Sequence, residues 1–331
     1  MKFLVIRFSS IGDIVLATPA IRCLKQRYPE AELHFLTKKK MKAVTEANPY
    51  IDKFHYFDGD FREMARALRA EHFDYVIDLH KNLRTFRLRF WIRAKWYSYQ
   101  KLSLQKFLLT KFHWDRMPKV HITTRSLNTL LPLDVQDDGL GLDYFIPEKD
   151  KVGLSSLPQF LQSGYGAVVI GASYYTKKLP PEKLIALLDR LDYPVMLMGG
   201  PEDRAIGEQI IAGTMNKRAF NSCGGFSLNG SADLIRQADW VISHDTGLQY
   251  IACAFQKKVM AVWGGTSPKL AVEPYYGSKP GSSGFYRNYI VPDLPCQPCS
   301  NFGLKACPKK HFNCMQLQDI AAIAKDALQG F

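Results

Sequence analysis

The loop RFSSIGD (7–13) places a carboxylate where an α/β enzyme would need one. It follows an apolar run, KFLVIRF (2–8), and leads into a helical pattern. Gly12 lets the backbone approach a ligand closely, and Asp13 stands where the helix is expected to begin. Because aspartate is also a common helix cap, position alone leaves Asp13 open to a catalytic or a capping role. The loop lacks the GxGxxG spacing and gives no support for dinucleotide binding.

A second group of small polar residues follows apolar runs in the C-terminal half. In His244-Asp245-Thr246-Gly247, Asp245 and Thr246 can cap a helix whose free N–H groups and dipole favour an anion such as a pyrophosphate. The loops that contain Gly200 and Thr266 are built in the same way. Turn chemistry alone produces such strings routinely, but three of them together predict a phosphate-lined pocket.

Lys177 lies in the segment TKKLPP (176–181), just before another helical pattern. A lysine at this position is placed to neutralise charge on a leaving diphosphate. The alternative is a solvated lysine with no ligand.

The elements that must position these residues alternate between strand and helix patterns. Predicted strands are 2–8, 32–37, 53–58, 75–80, 167–172, 194–200, 239–245 and 259–265, and predicted helices are 13–27, 40–47, 61–70, 181–191, 203–212, 232–237, 247–255 and 317–328. This alternation predicts an α/β protein with two doubly wound parallel sheets. Two such domains are expected to bind ligands at the carboxyl ends of their strands, in a cleft that both face.

The domain boundary is predicted from composition. Residues 134–166 are rich in Asp, Gly, Ser and Pro, which is typical of a linker. We therefore expect an N-terminal domain over 1–150 and a C-terminal domain over 151–331. The last predicted helix is expected to pack on either half, including the first domain.

The overall composition limits which classes of partner and which cellular compartment we expect for this protein. The 331-residue chain carries a net charge of +13, which predicts attraction to an anionic partner. It has no run of 18 apolar residues, and Arg7 and Asp13 interrupt any signal-peptide core. We therefore expect a cytoplasmic protein whose seven cysteines stay reduced.

The stretch 81–125 combines twelve Lys or Arg residues with a single acid, Asp115. A plain solvated surface would mix in carboxylates. The nine interspersed aromatic residues are Phe86, Phe90, Trp91, Trp96, Tyr97, Tyr99, Phe107, Phe112 and Trp114. Anionic lipid headgroups, an acidic glycolipid acceptor and nucleic acid all fit this composition. Because no nucleic-acid module is recognisable, the sequence favours lipid or acceptor and makes a nucleic-acid partner unlikely.

Two motifs suggest metal sites. Asp58-Gly59-Asp60 has the spelling of a metal-binding Asp-x-Asp but sits in a glycine turn, where both residue types are common for local reasons. Cys296, Cys299, Cys307 and Cys314 could hold a structural Zn²⁺ through four thiolates, although the second pair lacks the usual x2 spacing. Free thiols are the other interpretation, while Cys23, Cys223 and Cys253 are expected to be small core residues.

Taken together, these segments resemble glycosyltransferase family 9, the heptosyltransferases of lipopolysaccharide synthesis. The resemblance rests on RFSSIGDIVLATPAI, GASYYTKKLPPEKL, GGPEDR, NSCG, SHDTGLQYIACAFQKKVMAVWGGTSP and the tail CQPC…CP…H…CM. It implies a GT-B fold and metal-independent, inverting transfer from a donor such as ADP-heptose to the inner core of lipopolysaccharide at the inner membrane. It further implies that Asp13 is the general base.

The resemblance also implies that the domain over 1–150 binds the acceptor and that the domain over 151–331 binds the nucleotide-sugar donor. It implies donor contacts by Lys177, Asp245, Thr246 and Gly247, with Gly200 and Thr266 nearby. Tyr250 stands where relatives commonly carry a histidine; a phenol can donate a hydrogen bond but cannot carry positive charge. The expected contacts to an anionic Kdo-lipid A acceptor are Ser10, Gly12, His80, Lys81, Arg84 and His121. For the two histidines, a buried structural role is the alternative. The rival hypotheses are a nucleotide-sugar epimerase of the same architecture and an inactive binding protein.

Overall fold

The computed structural model describes residues 1–279 and 281–330, which form two compact units. Unit 1 comprises residues 1–102 and 120–145. Unit 2 comprises residues 103–119, 146–279 and 281–330. The N-terminal boundary thus lies at 145, five residues before the expected one. Residues 134–145 belong to unit 1 because Arg22 forms ion pairs with Asp138 and Asp143. The segment 103–119, expected in the first domain, is grouped with unit 2.

Unit 1 contains a five-stranded sheet in the order β3-β2-β1-β4-β5, with all neighbours parallel. The strands are β1 (Lys2–Ile6), β2 (Glu32–Lys38), β3 (Lys53–Phe57), β4 (Tyr75–Asp78) and β5 (Lys95–Ser98). The helices up to residue 128 are α1 (Ile11–Val15), α2 (Thr18–Arg27), α3 (Lys42–Thr45), α4 (Phe61–Ala70), α5 (Leu83–Leu88), α6 (Ser103–Phe112) and α7 (Ile122–Asn128). Strands β2 and β3 are added on one side of β1, and β4 and β5 on its other side. The topological switch point, where such sheets bind ligands, therefore lies between β1 and β4.

Unit 2 contains a six-stranded sheet in the order β11-β10-β9-β6-β7-β8, also parallel throughout. Its strands are β6 (Gly166–Val169), β7 (Val195–Met198), β8 (Ala219–Asn221), β9 (Trp240–His244), β10 (Lys258–Val262) and β11 (Tyr286–Tyr289). Its remaining helices are α8 (Pro181–Leu188), α9 (Arg204–Gly213), α10 (Leu228–Gln237), α11 (Gly247–Ala254), α12 (Asn313–Gln316) and α13 (Ile320–Gln329). Here the switch point lies between β6 and β9.

The predicted α/β architecture is confirmed, and three strands were missed. The edge strands β5, β8 and β11 are short and only partly buried, so they lack the continuous apolar run that marks a central strand. The predicted helix 13–27 is divided into α1 and α2. The last helix, α13, packs against α8, β9 and β10 within unit 2.

Candidate functional site

Asp13 lies in the loop and first turn that follow β1, at the switch point of the first sheet. Its Oδ2 accepts hydrogen bonds from the Ser10 backbone N–H and Oγ–H at 3.0 and 2.8 Å. Its Oδ1 lies 2.5 Å from Arg7 Nη2, and Arg7 also donates to the carbonyl of Leu79 after β4. The carboxylate is therefore held by three donors while its side chain remains 30% exposed.

The charge state of Asp13 is set by two opposing effects. Burial by itself raises the pKa of the carboxyl. The Arg7 charge and the Ser10 hydrogen bonds together lower the pKa by more than burial raises it, so the net pKa lies below the ordinary aspartate value. Asp13 is thus an anion at neutral pH. Its reciprocal hydrogen bonding with Ser10 also stabilises the start of α1, so the capping role and the availability of a carboxylate coexist in one residue.

The other residues expected to bind the acceptor have different surroundings within unit 1. Burial and the Arg7 charge lower the pKa of His80 to about 3, which makes this ring neutral, and it stands edge-on to Phe8. Arg84 covers the rings of Phe8 and Phe57 at 4.9 and 4.4 Å. Lys81 is exposed. His121 caps α7, accepting the Thr123 N–H at 3.2 Å, so its Nδ1 has a structural use. Gly12 is buried within α1.

In unit 2, Asp245 is the centre of a hydrogen-bonded cluster at the end of β9. Lys177 Nζ lies 2.6 Å from Asp245 Oδ2 and donates to the Asp245 carbonyl at 2.9 Å. Thr266 Oγ1 donates to the same Oδ2 at 2.9 Å, and the Tyr250 hydroxyl lies 3.1 Å from Oδ1. Lys177, Thr266 and Tyr250 therefore meet at the Asp245 carboxylate. These four residues were all predicted to bind the donor, and they come from three separate segments of the chain.

Tyr250 makes polar contacts with other residues of unit 2. Its side chain is buried and its hydroxyl also lies 2.6 Å from the Val272 carbonyl. Because the hydroxyl has a single hydrogen, it donates mainly to the closer Val272 carbonyl and lies beside the Asp245 carboxylate. Gly200 likewise has its N–H bonded to Asp203 Oδ2 at 3.0 Å. For both residues, a direct contact with the donor stays a prediction.

Thr246 is the N-terminal capping residue of α11, but its side chain makes no capping hydrogen bond. Its Oγ1 is buried and has no hydrogen-bond partner. An unsatisfied buried hydroxyl costs about 1–3 kcal/mol, and an anion at the helix N-terminus would satisfy it. Gly247 begins α11 directly beside this hydroxyl.

The cysteine-containing segment holds the loops of this cluster together. Gln297 Nε2 donates to the carbonyls of Trp263, Gly264 and Thr266 at 2.7–3.2 Å. Thr176, next to Lys177, accepts the Gly265 N–H at 2.7 Å. A side chain at Gly264 would place Cβ 2.2 Å from the Thr176 carbonyl, so only glycine permits this approach. No role was predicted for the Gln297 side chain or the Thr176 carbonyl, because no sequence motif marks contacts of this kind.

Cys296, Cys299, Cys307 and Cys314 line one small cavity together with His311. Four ligands around a tetrahedral Zn²⁺ at about 2.3 Å stand about 3.8 Å apart. Among residues 1–279 and 281–330, two groups bring three ligand atoms within 4.8 Å, and neither contains these four cysteines. Zinc binding there stays a prediction that this arrangement does not by itself support. Cys23, Cys223 and Cys253 are buried, as expected.

Asp58 and Asp60 have local roles that agree with the turn interpretation. Asp60 accepts the backbone N–H groups of Arg62 and Glu63 as the cap of α4. Asp58 pairs with Lys39 at 2.5 Å. The two carboxylates are thus used in separate contacts.

The basic aromatic stretch is divided between the two units, and part of it is not surface. Tyr99 is buried, and Trp91, Trp96 and Tyr97 are half-buried. The exposed aromatic residues are Phe86, Phe90, Phe107, Phe112 and Trp114. Within the described part of the chain, no helix has the length and apolar character needed to cross a bilayer.

The chain is similar to known proteins over most of its length. The chain is 26% identical to lipooligosaccharide heptosyltransferase 2 of Haemophilus ducreyi over 296 residues, covering 81% of this chain and 84% of the relative. It is also 26% identical to lipopolysaccharide heptosyltransferase 3 of Escherichia coli, covering 77% and 80% of the two chains.

Solved structures show the same fold. A glycosyltransferase family 9 protein from Veillonella parvula superimposes with a TM-score of 0.68 at 24% identity, covering 87% of this chain and 85% of that one. The ADP-heptose lipopolysaccharide heptosyltransferase II of E. coli gives 0.68 at 19% identity, covering 98% of each. The two parallel sheets and these neighbours show the GT-B fold. Residues 61–289 match glycosyltransferase family 9 (heptosyltransferase), and the chain belongs to that family.

Proposed function

We propose that this enzyme transfers a heptose from ADP-heptose to the inner core of lipopolysaccharide, with inversion at the anomeric carbon. The observation that carries the donor half of the proposal is the cluster of Lys177, Asp245 and the unpartnered Thr246 hydroxyl at the N-terminus of α11. A lysine cation, a hydroxyl that is available to donate a hydrogen bond and a helix N-terminus are together suited to binding a diphosphate. ADP-heptose is the donor of the E. coli relative of the same fold.

In the proposed reaction Asp13 acts as general base. The acceptor hydroxyl loses its proton to Asp13 as its oxygen attacks the anomeric carbon. The bond between that carbon and the diphosphate oxygen breaks, and ADP leaves with the electron pair. Lys177 turns from Asp245 to the diphosphate and neutralises its developing charge. One displacement on the face opposite the leaving group inverts the configuration.

The acceptor is proposed to bind unit 1 as an anionic glycolipid of the Kdo-lipid A type. Lys81 and Arg84 flank the edge that carries Asp13 and supply positive charge there, and Ser10 and Gly12 form the adjoining backbone. His80 is neutral and therefore suits a hydrogen bond to a sugar hydroxyl better than an ion pair. The relatives from H. ducreyi and E. coli are named for transfer to lipooligosaccharide and lipopolysaccharide.

The test is transfer from ADP-heptose to purified acceptors truncated before and after each core heptose, read by mass spectrometry. The proposal predicts a mass gain of one heptose on one of these acceptors. Asp13→Asn should abolish the gain while calorimetry still detects ADP binding. Release of ADP or epimerised sugar at an equal rate without any acceptor would contradict the proposed transfer.

We further propose that the enzyme works at the cytoplasmic face of the inner membrane and docks there through the surface of α6. Leu104, Phe107, Phe112 and Trp114 are exposed, and the rings of Phe112 and Trp114 lie 5.5 Å apart. The cations Lys111, Arg116 and Lys119 are exposed around them. Exposed aromatic rings among cations suit the headgroup region of an anionic bilayer.

Vesicle co-sedimentation tests this docking directly. Full-length protein should bind vesicles that contain anionic phospholipid and should bind neutral vesicles less, with the difference decreasing as salt rises. A Phe112→Ser, Trp114→Ser variant should lose most of the binding. Phe302→Ser is the matched control, because Phe302 is equally exposed elsewhere in unit 2. Equal loss in both variants, or equal binding to both vesicles, would contradict the proposal.

A further inference from the structure

A second cluster of chemically active side chains lies in unit 1, away from the edge that carries Asp13. His34 is in β2, His55 is in β3, and Glu71 follows α4. One ligand atom from each of these residues lies within 4.8 Å of the other two. Asp13 follows the carboxyl end of β1, whereas Glu71 precedes the amino end of β4. The proposed transfer reaction gives this cluster no role.

The two imidazoles are in direct contact. His34 Nδ1 lies 2.9 Å from His55 Nε2, and the rings are 5.1 Å apart. His34 is fully buried. Phe73 stands edge-on against both rings, with its centroid 5.0 and 6.3 Å from theirs. The two imidazoles therefore contact the apolar ring of Phe73 on one side and lie close to the Glu71 carboxylate on another.

Glu32 determines which nitrogen of His34 is free to bind. Glu32 Oε1 lies 2.7 Å from His34 Nε2, and because a carboxylate only accepts, Nε2 must carry the hydrogen. In the neutral form of His34, the Nδ1 atom then carries a lone pair that is directed towards His55. A histidine that donates one N–H to a carboxylate and directs its other nitrogen at a ligand cluster has the arrangement usual for metal-binding histidines.

We propose that His34, His55 and Glu71 form a binding site for a divalent transition-metal ion, with Zn²⁺ as the best match. Two imidazoles and one carboxylate are donors that Zn²⁺ prefers, with a fourth position left to water. The ion takes the place of the hydrogen now shared between the two rings. His55, which binds through Nε2, then carries its single hydrogen on Nδ1, so no net proton is released. The site links β2, β3 and the turn before β4.

Lys2 and Lys53 compete with the metal for the carboxylate. Lys53 Nζ lies 2.5 Å from Glu71 Oε1, and Lys2 Nζ lies 3.4 Å from Oε2. Both lysine side chains are substantially exposed and can turn into water. Metal binding must displace at least one of these contacts, so removing a lysine is expected to tighten it. A histidine pair that served only as a hydrogen bond would give no such response.

The experiment is titration of chelator-treated, full-length protein with Co²⁺ and then Zn²⁺, followed by visible absorption and calorimetry. Cobalt on nitrogen and oxygen gives weak bands without the intense thiolate absorption that the C-terminal cysteines would add. We expect one Co²⁺ of this type, displaced by Zn²⁺. His55→Ala should weaken its binding at least tenfold, and Glu32→Gln about 10–100-fold. Lys53→Gln should tighten it, and His113→Ala, at an exposed histidine, should leave it unchanged.

Three results would overturn the proposal. They are a cobalt spectrum with thiolate bands alone, a nitrogen-and-oxygen spectrum that survives His55→Ala, and weaker binding in Lys53→Gln. Because Glu71 lies near the surface, Glu71→Gln provides a second ligand variant should His55→Ala fail to fold, and its binding should also fall at least tenfold. Transfer activity is not the readout, so the result does not depend on the proposed function.

Discussion

The two switch points carry the same components in different arrangements. Each has an aspartate after a central strand, a basic residue paired with it and a helix that begins nearby. At the first, Asp13 is 30% exposed and its partner Arg7 is buried and fixed by the Leu79 carbonyl. At the second, Asp245 is only 11% exposed and its partner Lys177 comes from a separate loop.

In the proposed function, this difference distinguishes a carboxylate that reacts from one that supports a cation. The Arg7 contact leaves part of Asp13 open to solvent, as a proton acceptor requires. Asp245 is instead surrounded by Lys177, Thr266 and Tyr250, and the group that a ligand can recruit is the long, flexible lysine. We infer that unit 1 supplies a base and that unit 2 supplies a cation.

Asp13→Asn is expected to have the largest effect on turnover. The amide keeps the size of the side chain but cannot take a proton at neutral pH, so kcat should fall about 10²–10⁴-fold. The acceptor KM should change little. Steady-state kinetics with a saturating donor measures both, and Asp58→Asn, at an exposed carboxylate of unit 1, serves as the control. Retention of more than a tenth of wild-type kcat would remove Asp13 from the role of base.

Lys177→Ala is expected to act on the donor. A hydrogen bond to a charged group contributes about 1.5–3 kcal/mol, so ADP affinity should fall about tenfold to hundredfold. Competition of ADP against the sugar donor in the transfer assay reports this constant, and Lys217→Ala controls for the loss of an exposed lysine in the same unit. Unchanged affinity would mean that Lys177 stays on Asp245 throughout.

Thr246→Val tests the unpartnered hydroxyl with almost no change in volume. Loss of one neutral hydrogen bond of about 1 kcal/mol should weaken ADP binding about fivefold. Stability to urea should stay equal or rise, because the variant removes a buried, unsatisfied group. Lower stability together with wild-type ADP affinity would show that the hydroxyl serves the fold.

Arg7→Gln should have little effect on the ionisation of Asp13 at neutral pH and a visible effect in acid. In the wild type the lowered pKa of Asp13 keeps the base ionised, and kcat/KM falls only as pH drops through that low pKa. Without the guanidinium, burial, which raises the pKa, acts with less opposition. The acid limb of the kcat/KM profile should therefore move to higher pH. A limb at the wild-type position would show that Arg7 does not control this charge, provided that urea unfolding confirms the fold.

Sequence patterns were sufficient to predict the central strands and the loops after them that carry the site residues. Strands such as β1 and β9 are apolar runs buried on both faces, and the loops that follow them stand at the switch points by topology alone. The edge strands β5, β8 and β11 escaped because pairing with a neighbour, rather than their own composition, makes them strands.

The roles within each cluster needed coordinates. Nothing in the spacing of Tyr250 indicates that its hydroxyl lies on Asp245 and on the Val272 carbonyl. Arg7 could have been recognised, since a charge that directly follows a buried strand needs a partner. Tyr99, counted among the surface aromatics, is buried, because composition cannot reveal which face of a segment packs inward.

The division of roles between the two aspartate sites is tested most directly by calorimetric titration of ADP into three proteins: wild type, Asp13→Asn and Lys177→Ala. Our account predicts equal dissociation constants for wild type and Asp13→Asn, and a constant at least tenfold larger for Lys177→Ala. Weakening by Asp13→Asn as large as that by Lys177→Ala would contradict the assignment of the base to unit 1 and of the donor diphosphate to unit 2.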